Sequence, residues 1–155
     1  MRTAVACLLG GTVLFASTMA VAVHAVSVNQ ITDVYATAAT GMFSFEPDYV
    51  EIAAGEGVTF LNSTGDHTVH AIPELWPDSV ERIAISNRPE ASFQFDKEGV
   101  YGVTCRRHGQ YGMVLLVKVG DPDNVEGLKQ KIVGMRGSKA KKGALTALVD
   151  KFLSD

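Results

Sequence analysis

A mainly β fold of Greek-key sandwich type, followed by two C-terminal helices, is the architecture this sequence predicts. Three observations carry that expectation. Short apolar runs separated by Gly- and Pro-containing turns fill residues 31–119. Several of these runs alternate apolar and polar side chains, the period of a strand. Beyond residue 121 the apolar residues recur every three or four positions, the period of a helix. At 155 residues, 46% hydrophobic and 20% charged, the chain suits one globular domain.

The N-terminus is set apart. Met1 and Arg2 form a short basic start, and residues 4–16 (AVACLLGGTVLFA) are apolar with only small interruptions. This reads as a secretory signal peptide with cleavage after Ala22 or Ala25, leaving a domain over residues 26–155. Residues 4–23 are long enough to cross a membrane, but the short apolar core and the A-x-A-like sites after it favour cleavage. No other segment is apolar enough to span, so no membrane insertion is expected once the signal is removed. A soluble, exported and monomeric protein is the expectation.

Strands follow in order. Residues 31–37 (ITDVYAT) loosely alternate and predict a first strand; 42–47 (MFSFEP) predict a second, stopped by Pro47. Residues 49–52 and 58–62 flank Ala-Ala-Gly-Glu-Gly, two strands around a turn. Residues 69–72 predict another strand, and 73–81 a loop with a helical turn. Ala91, Phe93 and Phe95 alternate with Ser92 and Gln94. The apolar runs 99–105 and 113–119 predict the last two strands. Asp121-Pro122 then reads as an N-cap with proline at the first helical position. Val125, Leu128, Ile132 and Met135 fall on one helical face until Gly134 and Gly137 interrupt. Ser138 caps a second helix whose Leu145, Leu148, Val149 and Phe152 form an apolar face. Helices over about 122–155 are expected to pack back onto the sandwich.

Charge is unevenly spread. Residues 26–126 carry 15 acidic and 6 basic side chains, and residues 127–155 carry 7 basic and 2 acidic. The basic tail reads as the solvated side of helices. No aromatic residues are interleaved among its lysines for base stacking, so no nucleic-acid partner is expected.

The chemistry concentrates in CRRHGQYGM, residues 105–113, with His67 lying 38 residues upstream of Cys105. Cys105, His108 and Met113 have C-x2-H-x4-M spacing between two strand-like runs, so one tight loop can bring thiolate, imidazole and thioether together. Gly109 and Gly112 supply the sharp turns such a loop needs. His67, just after the turn Thr64-Gly65-Asp66, can add a second imidazole. Two nitrogens, a thiolate and a weak thioether are the ligands of a blue-copper electron-transfer site. Removing Cys7 with the signal leaves Cys105 the one cysteine of the domain, and an exported lone thiol persists more safely as a metal-bound thiolate.

Other chemistries fit less well. Zinc sites use closed sets of thiolates and imidazoles, without methionine. A cysteine nucleophile needs a base oriented by a third group, and no motif supplies one. A filled ligand set leaves no open position for substrate, so an enzyme is not expected. A copper storage or delivery protein is the alternative, though such proteins tend to use Met- or His-rich clusters. His70 lies three residues from His67, on the opposite face of an extended segment, and is expected at the surface. Trp76 and Tyr111 are candidates for an apolar patch near the site, with packing into the sandwich the alternative for Trp76. Arg106 and Arg107 are placed either to steer an acidic partner or to face solvent.

At this point the residues resemble a known family. GVYGVTCRRHGQYGM is similar to the copper-binding segment of the pseudoazurins, within the cupredoxin superfamily. FEPDYVEIAAGEGVTF is similar to the strand-turn-strand before their first histidine ligand, and the C-terminal helix pair also matches. The resemblance implies a Greek-key cupredoxin sandwich and one type 1 copper. By motif position His67, Cys105 and His108 are then equatorial ligands and Met113 the axial one. It implies a periplasmic electron shuttle serving redox partner proteins such as a reductase or dehydrogenase, with electrons passing by the edge of His108. Two positions depart. Thr68 stands where the family usually has a bracing Asn, and Arg107 where it usually has Pro. The Arg107 N–H is available to bond the Cys105 sulfur and raise the potential. The lysines that often ring the family's site are also few here.

Overall fold

The computed structural model describes residues 26–153. The expected signal peptide and both expected cleavage positions lie outside the described residues. Seven strands are present: β1 (Val26–Thr32), β2 (Phe43–Glu46), β3 (Tyr49–Ile52), β4 (Glu56–Ala71), β5 (Ala84–Phe95), β6 (Gly99–Thr104) and β7 (Val114–Val119). Two helices follow, α1 (Leu128–Gly134) and α2 (Lys139–Phe152). The strands form one hydrogen-bonded sheet in the order β2-β1-β4-β6-β7-β3, with β5 paired to β4. The β1–β4 and β3–β7 pairs are parallel and the others antiparallel.

The sixteen-residue strand β4 organises this sheet. Its first half lies between β1 and β5; its last residues, His70 and Ala71, pair with Thr104 and Val103 of β6. Changing neighbours along its length, β4 wraps the sheet into a nearly closed, barrel-like sandwich.

Side-chain alternation places the core. Tyr101, Val103 and Cys105 point into one buried cluster with Val58, Phe60, Phe95, Leu115 and Val117. The alternate residues Val100, Val114 and Leu116 join Leu128, Ile132, Leu145 and Leu148 in a second cluster under the helices. Covered on both faces, β6 and β7 are therefore continuous apolar runs. Each fully buried Leu or Val contributes roughly 1.5–3 kcal/mol, so the two clusters hold the two strands that flank the ligand loop.

Four expectations change. The first strand begins at Val26 rather than residue 31, with Val28 and Gln30 buried. Residues 33–37 are not strand: Val34 and Tyr35 are exposed, and the Tyr35 N–H donates to Asp33 Oδ1 at 2.9 Å, a side-chain turn that stops β1. Residues 58–62 and 69–72 lie mostly in one strand, β4, which ends at Ala71. Asp121-Pro122 does not open a helix. Asn124 instead pairs with the backbone of Val100, accepting its N–H at 2.9 Å, which holds this segment against β6 until α1 begins at Leu128. The Ser138 cap forms as expected, accepting from the Lys141 N–H at 3.0 Å. Trp76 is buried, edge-to-face with Tyr101 at 4.8 Å, and donates to the Glu81 carbonyl, so it belongs to the core.

Candidate metal centre

Two interruptions of the sheet bring the site together. The first lies in β4, where the pairing with β5 shifts between Ser63 and Thr68. Residues 64–67 bulge there, re-aiming a side chain as bulges do, and His67 ends the bulge. The second is the β6–β7 connection. Cys105 follows β6, His108–Tyr111 form a 3-10 turn, and Met113 precedes β7. Gly112 closes that turn at φ 101, a left-handed conformation that favours glycine. Gly109 packs against Thr104, whose Oγ1 would collide with any Cβ placed there. The Gly109 N–H donates to the Cys105 carbonyl at 2.9 Å, and the Cys105 and Met113 backbones are bonded at 3.3 Å. Cys105 and Met113 are thus pinned across the neck of one loop.

Within this frame the ligating atoms of His67, Cys105 and His108 lie within 4.8 Å of one another. Cys105 is 1% exposed, His108 8% and Met113 0%, and His67 is half-buried. Cys105 Sγ lies 3.7 Å from His108 Nδ1, 3.7 Å from Thr68 Oγ1 and 3.6 Å from the Asp66 carbonyl. His67 Nε2 bonds Thr32 Oγ1 at 2.8 Å, while its Nδ1 is buried without a partner. A buried ring nitrogen left unbonded is unfavourable unless something else takes its lone pair. With thiolate and imidazole donors beside it, a thiophilic transition metal fits.

Burial lowers the pKa of both His67 and His108, as the charged ring loses its solvation. Repulsion between the two rings when protonated lowers His67 further and the Arg107 guanidinium lowers His108, while Asp66 opposes both. Both shifts favour the neutral ring, the form that ligates metal.

Several contacts around the site are not legible in the sequence. Phe43 of β2 stacks on His108 with ring centroids 3.7 Å apart. Asp66 accepts an ion pair from Arg107 at 2.9 Å, joining the His67 turn to the ligand loop. Thr68 braces the loop, accepting the Arg106 N–H at 3.0 Å. The Arg107 N–H, expected on the Cys105 sulfur, is not among that sulfur's bonding partners in the described residues. His70 stays out of the ligand group, as the strand period predicts, but it is half-buried rather than on the open surface. It lines a groove with Thr104 and Lys141. Tyr111, 45% exposed, lies 5.9 Å from Phe43. With Met42, Arg106, Arg107 and His108 these two rings border an open cavity of about 770 Å³.

Residues 32–120 match the copper-binding proteins of the plastocyanin/azurin family, and the chain belongs to that family. Copper is therefore the metal that His67, Cys105 and His108 are positioned to hold.

Within the family its similarity runs to the pseudoazurins. It is 41% identical over 90 residues to a pseudoazurin of Methylorubrum extorquens, covering 57% of this chain and 61% of the relative. It is 35% identical over 91 residues to one from Paracoccus pantotrophus, covering 58% and 63%. These matches span about three fifths of the curated relatives' length. The crystal structure of pseudoazurin from Methylobacterium extorquens AM1 superimposes with a TM-score of 0.68 at 33% identity, covering 81% of this chain and 97% of that one. That of Hyphomicrobium denitrificans pseudoazurin gives 0.68 at 27%, covering 83% and 98%.

Proposed function

We propose that this protein is a one-electron carrier holding a single type 1 copper through His67, Cys105, His108 and Met113. The observation that carries the reading is the convergence of two imidazoles and one buried thiol within 4.8 Å. Met113, fully buried and pinned beside Cys105, is the fourth ligand. Bound copper would supply the Cu(I)/Cu(II) couple. The protein's part is to hold the ligands rigidly, so that little reorganises on electron transfer, and to exclude water from the thiolate. A filled, buried ligand set leaves no coordination position for a substrate, which favours a carrier over an enzyme.

His108 is the ligand that borders the open cavity beside Phe43 and Tyr111, so its edge is the path to a docked partner. Arg106 and Arg107 are exposed on the same rim and suit a redox protein with an acidic face, such as a periplasmic reductase or dehydrogenase. The N-terminal segment acts as a cleaved export signal, the domain over residues 26–155 being a monomer in the periplasm. Among the described residues no helix is long and apolar enough to cross a membrane.

The test is direct. The mature chain with Cu(II) should turn intensely blue, lose the colour with ascorbate and regain it on reoxidation without losing metal. A colourless protein, or colour unchanged in Cys105→Ser, overturns the reading. Blue protein that releases its metal on reduction favours storage or delivery.

A further inference from the structure

Backbone pairing between β1 and β4 stops at Asn29 and Leu61. Beyond that point β4 departs from its neighbours. Ser63 pairs with Arg88 and Thr68 with Ser86, so five steps along β4 match two along β5. The segment that carries His67 therefore has little ladder to hold it. Side chains of β1 take over where the backbone bonds end. Asn62, at φ 62 in the left-handed region that Asn tolerates, donates from Nδ2 to Asn29 Oδ1 at 2.6 Å. Gln30 Nε2 donates to the Leu61 carbonyl at 3.3 Å and to Ser63 Oγ. Thr32 Oγ1 meets His67 Nε2 at 2.8 Å. Partner separation grows from 33 residues at Asn29–Asn62 to 35 at Thr32–His67, so the rungs step across the bulge.

We propose that Asn29, Gln30 and Thr32 are positioning residues for the copper ligand His67, a side-chain ladder that fixes its ring before metal arrives. The proposal rests on the reading of His67 as a ligand. Two details argue for orientation rather than stability. Gln30 is 4% exposed, and its Oε1 is buried with no partner. An apolar side chain would fill that place at less cost in desolvation; what Gln30 adds is two donor bonds to β4. Its orientation is fixed, because only Nε2 can satisfy the Leu61 carbonyl. At the last rung, a proton on Nδ1 would be a buried donor without an acceptor, whereas a proton on Nε2 has the Thr32 hydroxyl. The ladder thus selects the Nε2–H tautomer and leaves the buried Nδ1 lone pair available to a metal. The bond a ligating imidazole makes through its other nitrogen sets which nitrogen ligates.

The test compares Thr32→Val, Thr32→Ser and Gln30→Leu with the wild-type chain. Three quantities are read: Cu(II) affinity by chelator competition, the imidazole nitrogen shifts of metal-free His67, and the unfolding midpoint. Thr32→Val should lower Cu(II) affinity about 10- to 100-fold, mix the His67 tautomers and leave the midpoint nearly unchanged. Thr32→Ser should restore affinity and tautomer. Gln30→Leu should lower affinity about as far as Thr32→Val does, with a modest drop in midpoint because the Leu61 carbonyl and the buried Ser63 hydroxyl lose their donor. Wild-type affinity and a single tautomer in Thr32→Val, failure of serine to rescue, or loss of midpoint with full affinity in Gln30→Leu would each overturn the ladder. A wild-type chain that binds no copper overturns the copper reading instead.

Discussion

The phenyl ring of Phe43 lies parallel to the imidazole of His108, with centroids 3.7 Å and planes 2° apart. His67 meets the same imidazole edge-on, with centroids 5.0 Å apart. His108 is thus held by a ring from β2 on one flank and a ring from β4 on another. A residue distant in sequence from the ligand loop helps fix how that loop presents its histidine.

Removing the stack should be measurable without metal. Phe43→Leu keeps apolar bulk but forfeits the ring pairing, worth about 0.5–1.5 kcal/mol. Chemical denaturation of the metal-free protein should show a loss of about 1 kcal/mol, and the copper-loaded variant an altered thiolate-to-copper absorption. If both stability and spectrum match the wild type, the stack is incidental packing.

Much of this site was legible because it is local. Cys105, His108 and Met113 sit within nine residues, and the alternation of β6 and β7 sets which way Cys105 and Met113 point. Thr32, Phe43 and Asp66 were not legible as partners of the site. Each is an ordinary strand or turn residue whose role depends on where β1, β2 and the β4 bulge come to lie. The misplaced first strand has a related cause. Ile31, Val34 and Tyr35 suggest a strand, yet the pairing that buries Val28 and Gln30 lies upstream, and Asp33 breaks the run with its own side chain. Thr68 reads in sequence as the loss of a bracing Asn, yet its hydroxyl also braces the loop by accepting the Arg106 N–H.

Acid should weaken the metal-free protein through its histidines. Burial pushes His67, His70 and His108 below the ordinary imidazole value of 6.5. Between that value and the lower folded one, the unfolded chain binds more protons than the folded chain. Their contribution to stability is therefore complete above about pH 6.5 and is lost as pH falls through the folded values. Urea midpoints of the metal-free protein should be flat from neutral pH down to about that value and then decline. Replacing His70 by Gln should shallow the decline without removing a ligand. A midpoint that rises on acidification would contradict the sign.

The arginine rim should act through long-range charge. Arg107 is paired with Asp66, but both side chains are more than half exposed, so the pair is worth only about 0–1 kcal/mol. Asp66→Asn should hardly move the unfolding midpoint. The double variant Arg106→Glu/Arg107→Glu should slow electron exchange with an acidic redox protein at low ionic strength, the difference fading toward 0.15 M salt, where screening sets in at about 8 Å. Equal rates at low salt would assign both arginines to solvent.

Thr68 offers the sharpest test of how the thiolate is tuned. Its Oγ1 accepts the Arg106 N–H at 3.0 Å, which leaves the hydroxyl hydrogen free to point at Cys105 Sγ, 3.7 Å away. A donor on the sulfur draws charge from the thiolate and favours the reduced metal, which carries one positive charge less. Thr68→Val removes this donor and also strands the Arg106 N–H, a loss of about 1 kcal/mol where water cannot replace the bond. The variant should show a lower reduction potential and a modest loss of stability; Thr68→Ser should restore both. Voltammetry of the copper-loaded proteins decides the matter. A potential that rises in Thr68→Val, or that serine leaves at the valine value, would show that the hydroxyl braces the Arg106 backbone without acting on the sulfur.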